Sequence, residues 1–271
     1  MTTSTSEPGA QVSVVIVNYR TKELTAKAAE SALAEPDCLE VIVVDNQSGD
    51  GSAEFLREKL ASPRLKLIEC EQNRGFGAGN NVGAAAASGR VLFLLNSDAT
   101  FTEGALRPLV EMIQADPTIG IVAPLIVMAD GKTPQQDAFG IMPTFGTILT
   151  RKTKRYDPGE VEPGFVSGTA MLMRTADYRA VGGFDERIFM YYEDVELCYR
   201  FRQRGFRIVR CLDSTVVHIG GQSYRSTYRQ KHQYYQAQDL YLRLIGTPTV
   251  LRWGLRLLRW PNLILGQILG R

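Results

Sequence analysis

Four times within its first hundred or so residues the chain sets an apolar, β-branched run before a helix-forming run, and this alternation leaves few folds open. The apolar runs are VSVVIVNY (residues 12–19), LEVIVVDN (39–46), RLKLIEC (64–70) and RVLFLLNSD (90–98). Between them lie an Ala-rich segment, 22–34, stopped by Pro36, then SAEFLREKL (52–60) and the glycine-rich NRGFGAGNNVGAAAASG (73–89). Thr21 is the expected N-cap of the first helix. Runs without polar alternation are buried on both faces, as in a parallel sheet covered by helices, and crossover handedness restricts the topologies further. The fold class expected is α/β, with a mostly parallel central sheet and helices on both faces.

Beyond Asp98 the pattern loosens. Residues 101–116 read as a helix and 118–124 as a strand. Residues 128–164, rich in Gly, Pro, Thr and Lys and including the basic cluster RKTKR (151–155), read as loops. Strand-like GFVSGTAMLMR (164–174) and FRIVRC (206–211) flank an acidic tract, GGFDERIFMYYEDVELCYRFRQRG (182–205).

Composition sets limits. With 271 residues, 44% of them hydrophobic, the chain can bury a sizeable core, and its formal charge of +2 gives no electrostatic case for nucleic acid. Four cysteines without a CxxC pair argue against zinc and against a disulfide framework, so a reducing cytoplasm is expected. Residues 1–11 read as a flexible tail without the features of a signal peptide, and no run reaches the length of a spanning helix.

Two strand ends carry acids, Asp45 and Asp98, and parallel pairing places both along one sheet edge. Asn96 to Asp98 also reads as a simple turn, and either acid as a helix cap. Two acids facing a glycine-rich loop suggest a nucleoside diphosphate, one carboxylate accepting from a pyrimidine imide and the other holding a divalent cation. The G-F-G-A-G run at 75–79 is not read as a dinucleotide fingerprint, because the first βα turn, VNYRTKEL, holds no glycine. Its backbone N–H groups remain able to approach a phosphate. Glu193, Asp194 and Glu196 begin a helix behind Phe189, Met190, Tyr191 and Tyr192, whose apolar surroundings raise a carboxylate's proton affinity. Neighbours on a helix diverge by about 100°, so only one of the three acids can point into a cleft. His218 reads as structural on the bare sequence.

Six stretches, VSVVIVNY, VIVVDNQSGDGS, NRGFGAGNNVG, LLNSD, GTAMLMR and GGFDERIFMYYEDVELCYR, in that order over residues 12–222, resemble the family 2 glycosyltransferases of the GT-A fold, in their rhamnosyltransferase-like branch. The resemblance implies a Rossmann-like nucleotide-sugar half at 12–99 fused to an acceptor half at 100–225. It implies a nucleotide-sugar site built from Val17, Asn18, Tyr19, Asp45, Asn73, Gly77, Asn80, Asn96 and Ser97, with Asp98 and His218 on a Mg2+ or Mn2+ ion. Asn96 departs from the family's acidic first position and leaves Asp98 as the main carboxylate ligand. Gly168 and Thr169 would meet the acceptor, and the Glu193–Asp194 pair would supply the base, Asp194 taking the proton in an inverting displacement. The donor implied is dTDP-L-rhamnose or a UDP-sugar, and the acceptor a glycan or polyprenyl-linked hydroxyl in cell-wall or surface polysaccharide synthesis. A non-catalytic sugar-nucleotide or glycan-binding module and a sugar-1-phosphate nucleotidyltransferase are the alternative readings.

Residues 226–271 read as a C-terminal helical extension. Arg252, Arg256 and Arg259 share one helical face over 250–271, with leucines and tryptophans around the rest and Pro261 as an interruption. Two readings follow: a helix lying at the inner face of the cell membrane, or one packed on the core or on a second copy in a homodimer.

Overall fold

A computed structural model describes residues 11–150, 157, 159–220 and 228–268. The tail at 1–10, the basic cluster 151–155 and the boundary near 225 lie outside them. The chain runs β1 (Val12–Asn18), α1 (Lys22–Ala34), β2 (Cys38–Asp45), α2 (Ser52–Lys59), β3 (Leu65–Glu69), α3 (Phe76–Ala86), β4 (Val91–Asn96) and β5 (Ala99–Phe101). It continues through α4 (Leu106–Ala115), β6 (Ile119–Val127), β7 (Phe139–Gly140), α5 (Phe145–Thr150), β8 (Phe165–Val166), β9 (Ala170–Arg174) and α6 (Thr175–Val181). The last elements are α7 (Glu193–Gln203), β10 (Arg207–His218), α8 (Tyr228–Leu244) and α9 (Thr249–Ile268).

One eight-stranded sheet, in the order β3-β2-β1-β4-β9-β6-β10-β5, carries the molecule. Strands β1 to β4, β6 and β10 run parallel, while β9 is antiparallel to both its neighbours and β5 is antiparallel to β10. The sheet is thus α/β and mostly parallel, as the alternation predicts. Every side chain of β1 is buried, because α1 covers one face and α3 the other. Close approach on the α3 side requires small residues: a Cβ on Gly79 would sit 2.8 Å from Val17 Cγ1, and one on Gly83 would sit 2.4 Å from Val15 Cγ1.

Register decides what lies at the carboxyl edge. Asn18 is paired with Asp45 and Val17 with Asn96, so the ends of β2, β1 and β4 are level. Asp45 and Asp98 do share that edge, with β1 between their strands.

Several local expectations are corrected. Thr21 sits at the N-cap position but makes no capping bond; its hydroxyl donates to Ser97 Oγ at 3.0 Å and reaches Asn18 Oδ1 at 3.3 Å. Phe101, read as the start of a helix, ends the edge strand β5, where its ring packs at a tilt against Phe93 with centroids 4.8 Å apart, and the helix begins only at Leu106. The loop region 128–164 holds the helix α5 and the strand β7, which pairs with β8 just beyond it. The strand expected to end at Cys211 runs on to His218 through a bulge between Cys211 and Thr215. The helix expected to break at Pro261 continues through it.

Candidate active site

The edge is first a hydrogen-bonded lattice. Asp45 Oδ1 accepts from Asn18 Nδ2 at 2.6 Å and from Ser48 Oγ at 2.5 Å, and its Oδ2 accepts from the Ser48 backbone N–H at 3.1 Å. Asn18 Oδ1 in turn accepts from Thr25 Oγ1 at 2.8 Å. Asn18 is therefore consumed internally, whereas Asp45 Oδ2 keeps a free lone pair. Tyr19 stands exposed beside it, with the Arg20 guanidinium 5.2 Å from its ring centroid.

Two N–H groups of the glycine-rich loop are committed within the fold. Its Gly75 N–H donates to Asn73 Oδ1 at 3.0 Å and its Phe76 N–H to the Phe189 carbonyl at 3.1 Å, so neither faces open space. A Cβ on Gly75, which has φ +96°, would fall 2.0 Å from Phe189 O, and one on Gly77 would fall 2.9 Å from Phe184 Cβ. These glycines let the start of α3 close onto the segment 184–189 that leads to the acidic tract. Asn81, which the sequence did not single out, fastens the same seam by accepting from Phe184 N–H at 2.8 Å and Tyr178 O–H at 2.6 Å. Asn73 Oδ1 also accepts from Asn46 Nδ2 at 3.0 Å. Asn80 is buried, with Nδ2 on the Phe76 carbonyl and Oδ1 without a partner.

Asp98 and His218 come together because β5 pairs antiparallel with β10, Ala99 lying opposite His218. His218 Nε2 is 3.0 Å from Asp98 Oδ1, and His218 Nδ1 is 2.7 Å from Gln135 Oε1. Among the described residues no three His, Cys, Asp or Glu side chains gather to hold a metal ion. The pair still suits a cation: an anionic oxygen and an imidazole nitrogen converge on one spot, and the ring's other nitrogen is held by an amide, as metal-ligating histidines commonly are. Remaining ligands would come from water or from a bound diphosphate.

The acids at the start of α7 take three separate environments. Glu196 turns away and binds Arg200 through two bonds of 2.7 and 2.6 Å. Glu193 is buried, with Oε2 lacking a partner, and burial followed by the Asp194 charge pushes its carboxyl up to about 8. Asp194 is half-buried; its Oδ2 accepts from Gly168 N–H at 2.9 Å and its Oδ1 from Val195 N–H at 2.7 Å. Burial raises its proton affinity above the usual carboxylate range, against the opposing pull of those two N–H groups. Of the four neighbours expected to bury these acids, Phe189 and Met190 are exposed, whereas Tyr192 is buried and packs against Tyr241 at 5.3 Å.

Gly168 and Thr169 join these parts. The Asn96 N–H donates to the Thr169 carbonyl at 2.8 Å while Gly168 holds Asp194, so the end of β4 and the first turn of α7 are one residue apart along the bridge. Among the described residues four non-glycines have left-handed backbones, Arg20, Gln47, Tyr191 and Tyr192, at φ +58°, +59°, +69° and +64°. The first two follow β1 and β2, and the last two precede Glu193. Such conformations store roughly 1–3 kcal/mol each and gather at working sites.

The family model described as glycosyl transferase family 2 matches residues 13–180. The N-acetylglucosaminyl-diphospho-decaprenol L-rhamnosyltransferase of Mycobacterium tuberculosis is 28% identical over 231 residues, 76% of this chain and 75% of that one. A low-salt glycan biosynthesis hexosyltransferase of Haloferax volcanii is 27% identical over 217 residues, 76% and 66% of the two chains. Among solved structures, a mannosyltransferase of Pyrobaculum calidifontis in complex with GDP-Man and Mn2+ superposes with TM-score 0.64 at 18% identity over 86% of this chain. GalNAc-T7 with UDP, GalNAc and Mn2+ gives 0.65 at 22% identity, also over 86%. At those identities the likeness is one of fold, and this chain spans 63% and 48% of their lengths.

Proposed function

The chain belongs to glycosyltransferase family 2, with the fold of the GT-A enzymes, and from that premise we propose that it transfers L-rhamnose from dTDP-L-rhamnose to a hydroxyl of a lipid-linked glycan with inversion. Glycosyl transfer in polysaccharide synthesis is the supported activity; the sugar and the acceptor are proposals taken from the M. tuberculosis relative's name. The observation that carries the mechanism is Asp194, a half-buried carboxylate of raised proton affinity whose two oxygens are each oriented by a backbone N–H.

Asp194 takes the acceptor's proton as that oxygen attacks the anomeric carbon, and the nucleoside diphosphate leaves from the opposite face. Asp45 Oδ2 accepts the imide N–H of thymine or uracil, beside Tyr19 and the β1 end at Val17 and Asn18. Asn73, Gly77, Asn80, Asn96 and Ser97 line the remaining donor site, and Gly168 and Thr169 lie on the acceptor's path. Glu193, protonated near neutral pH, supports the turn that aims Asp194. Asp98 and His218 would hold Mg2+ or Mn2+, which offsets charge developing on the leaving diphosphate. Both solved relatives named above carry Mn2+, which supports this cofactor. Residues 12–99 serve the donor and 100–225 the acceptor.

We further propose that the enzyme works at the inner face of the membrane. No helix of the described residues is long and apolar enough to cross it. Arg252 and Arg256 both bond Asp239, and Arg259 bonds Gln238 and lies over the Tyr235 ring, so the basic face of α9 is turned onto α8. Of the two readings of this segment, its basic face meets the packed one. What α9 presents instead is apolar: Val250, Leu251, Trp253, Leu257 and Leu258 are exposed, and a groove joins them to Leu149 of α5. Residues 140–156 and 246–271 contain no acid and include RKTKR directly after α5, a charge pattern that suits an anionic bilayer.

The donor is tested by the thermal midpoint with dTDP-, UDP- and GDP-sugars, with and without Mn2+, since a ligand of the folded state raises it by mass action. dTDP-L-rhamnose with Mn2+ is expected to give the largest rise. A larger rise with a GDP-sugar overturns the donor assignment.

A further inference from the structure

We propose that Gln135 and Asp137 are positioning residues that hold His218 in the single tautomer able to turn a bare nitrogen toward a cation beside Asp98. The proposal rests on the reading of Asp98 and His218 as a cation-binding pair. It does not follow from their sequence positions, since Gln135 and Asp137 lie in a stretch the sequence marks only as loop.

Gln135 Nε2 donates to Asp137 Oδ1 at 2.7 Å, and Gln135 Oε1 lies 2.7 Å from His218 Nδ1. A carboxylate oxygen only accepts, so the Gln135 amide must turn its NH2 to Asp137 and its carbonyl oxygen to the histidine. That oxygen also only accepts, so His218 Nδ1 must carry a hydrogen. In a neutral ring Nε2 is then left with its lone pair, 3.0 Å from Asp98 Oδ1. Two acceptors at that separation repel unless a positive charge lies between them. The chain Asp137 to Gln135 to His218 thus translates an exposed carboxylate into a defined lone pair at the edge of the sheet.

The backbone keeps the relay in place. The Gln135 N–H donates to the Ile126 carbonyl at 2.9 Å, and Pro134 forms an isolated antiparallel bridge with Val127 at the end of β6. β6 is hydrogen-bonded to β10, whose last residue is His218. The loop carrying the amide is thereby fastened to β6, the neighbour of the strand that carries the imidazole. Groups that hold a ligating histidine from behind in this way typically set about 10–100-fold of metal affinity.

Three variants and two readouts test it. Mn2+ binding in the presence of UDP, followed by the electron paramagnetic resonance signal of free Mn2+, is expected to weaken about 10–100-fold in Gln135→Leu. Gln135→Glu keeps an acceptor facing Nδ1 and should bind within about threefold of wild type, while Asp137→Leu frees the amide to rotate and should fall between the two. Equal affinity in wild type and Gln135→Leu overturns the proposal. The second readout is the imidazole nitrogen spectrum of the metal-free protein near pH 8.5, simple to assign because the chain has two histidines. His218 Nδ1 is expected to be protonated in wild type and in Gln135→Glu; an unprotonated Nδ1 in wild type overturns the relay even if Mn2+ binds. Wild type that fails to bind Mn2+ while Nδ1 is protonated removes the metal reading and leaves the relay standing. Should Gln135→Leu fail to fold, the wild-type spectrum and Gln135→Glu decide alone.

Discussion

Asp194 Oδ2 accepts the Gly168 backbone N–H at 2.9 Å, and this bond ties the first turn of α7 to the loop that enters β9. Its other oxygen accepts from Val195 N–H, so both carboxylate oxygens face donors. Asp194→Asn can satisfy only one of them. Turnover is expected to fall about 10²- to 10⁴-fold, the usual contribution of a general base, with nucleotide affinity by calorimetry near wild type. Glu196→Gln, which loses only the Arg200 pair, should change turnover far less. An Asp194→Asn enzyme keeping more than about a tenth of wild-type transfer moves the base elsewhere.

Asp45→Ala removes the acceptor proposed for the pyrimidine and also the acceptor of one Asn18 Nδ2 hydrogen and of the Ser48 hydroxyl. Nucleotide binding should weaken by roughly 1–3 kcal/mol, with a loss of stability of similar order. Titration calorimetry with dTDP separates the effects. A folded variant that binds dTDP as tightly as wild type overturns this placement of the base.

Glu193 gives a dependence on pH with a definite sign. Burial raises its folded-state value to about 8, above the unfolded carboxylate, so the folded chain holds more protons through that interval. Stability contributed by the protonated form is full at acid pH and declines as pH rises from about 4.5 toward 8. Glu193→Gln removes the titration and should flatten the curve. At pH 8.5 the variant is expected to melt above wild type, and a wild-type midpoint unchanged between pH 5 and 8 rules the shift out.

The apolar face of α9 is tested by flotation with vesicles containing anionic lipid. The 271-residue chain should float, and Leu257→Glu with Leu258→Glu should abolish flotation, leaving transfer to a soluble acceptor analogue near wild type. Unchanged flotation, or loss of a dimer by light scattering instead, assigns this face to something other than lipid.

Two left-handed glycines separate strain from collision. At Gly104, φ +73°, an added Cβ would meet nothing within 4 Å, whereas a Cβ on Gly75 meets Phe189 O at 2.0 Å. Gly104→Ala should cost about 1 kcal/mol in urea unfolding, and Gly75→Ala several times more. Similar costs would mean that the α3 seam yields easily.

The first four strands and three helices were legible in the sequence because each strand shows a mostly apolar run and each helix between them a helix-forming one. The edge strand β5 was not: three residues carry too little pattern, and their strand state is fixed by β10, more than a hundred residues away. His218 was anticipated through resemblance, but its place at the end of β10 was hidden by the bulge at Cys211, which breaks the alternation. Gln135, Asp137 and Asn81 gave no local signal, since each acts through a partner distant in sequence. The strained Tyr191 and Tyr192 were equally hidden, because tyrosine carries no hint of a positive φ. The arginine face of α9 was legible as a face while its side was left open, because periodicity shows which residues group together but not what covers them.

The antiparallel insertion of β9 between β4 and β6 bears on how the chain survives its own synthesis. Until Ala170–Arg174 emerge from the ribosome, β4 has β1 on one side and nothing on the other. The run VLFLL is then a bare, highly apolar edge, the kind of template on which nascent chains pair with one another. A ribosome that pauses between residues 100 and 170 would hold the N-terminal part of the sheet with this edge bare, and chaperone capture should peak in that interval.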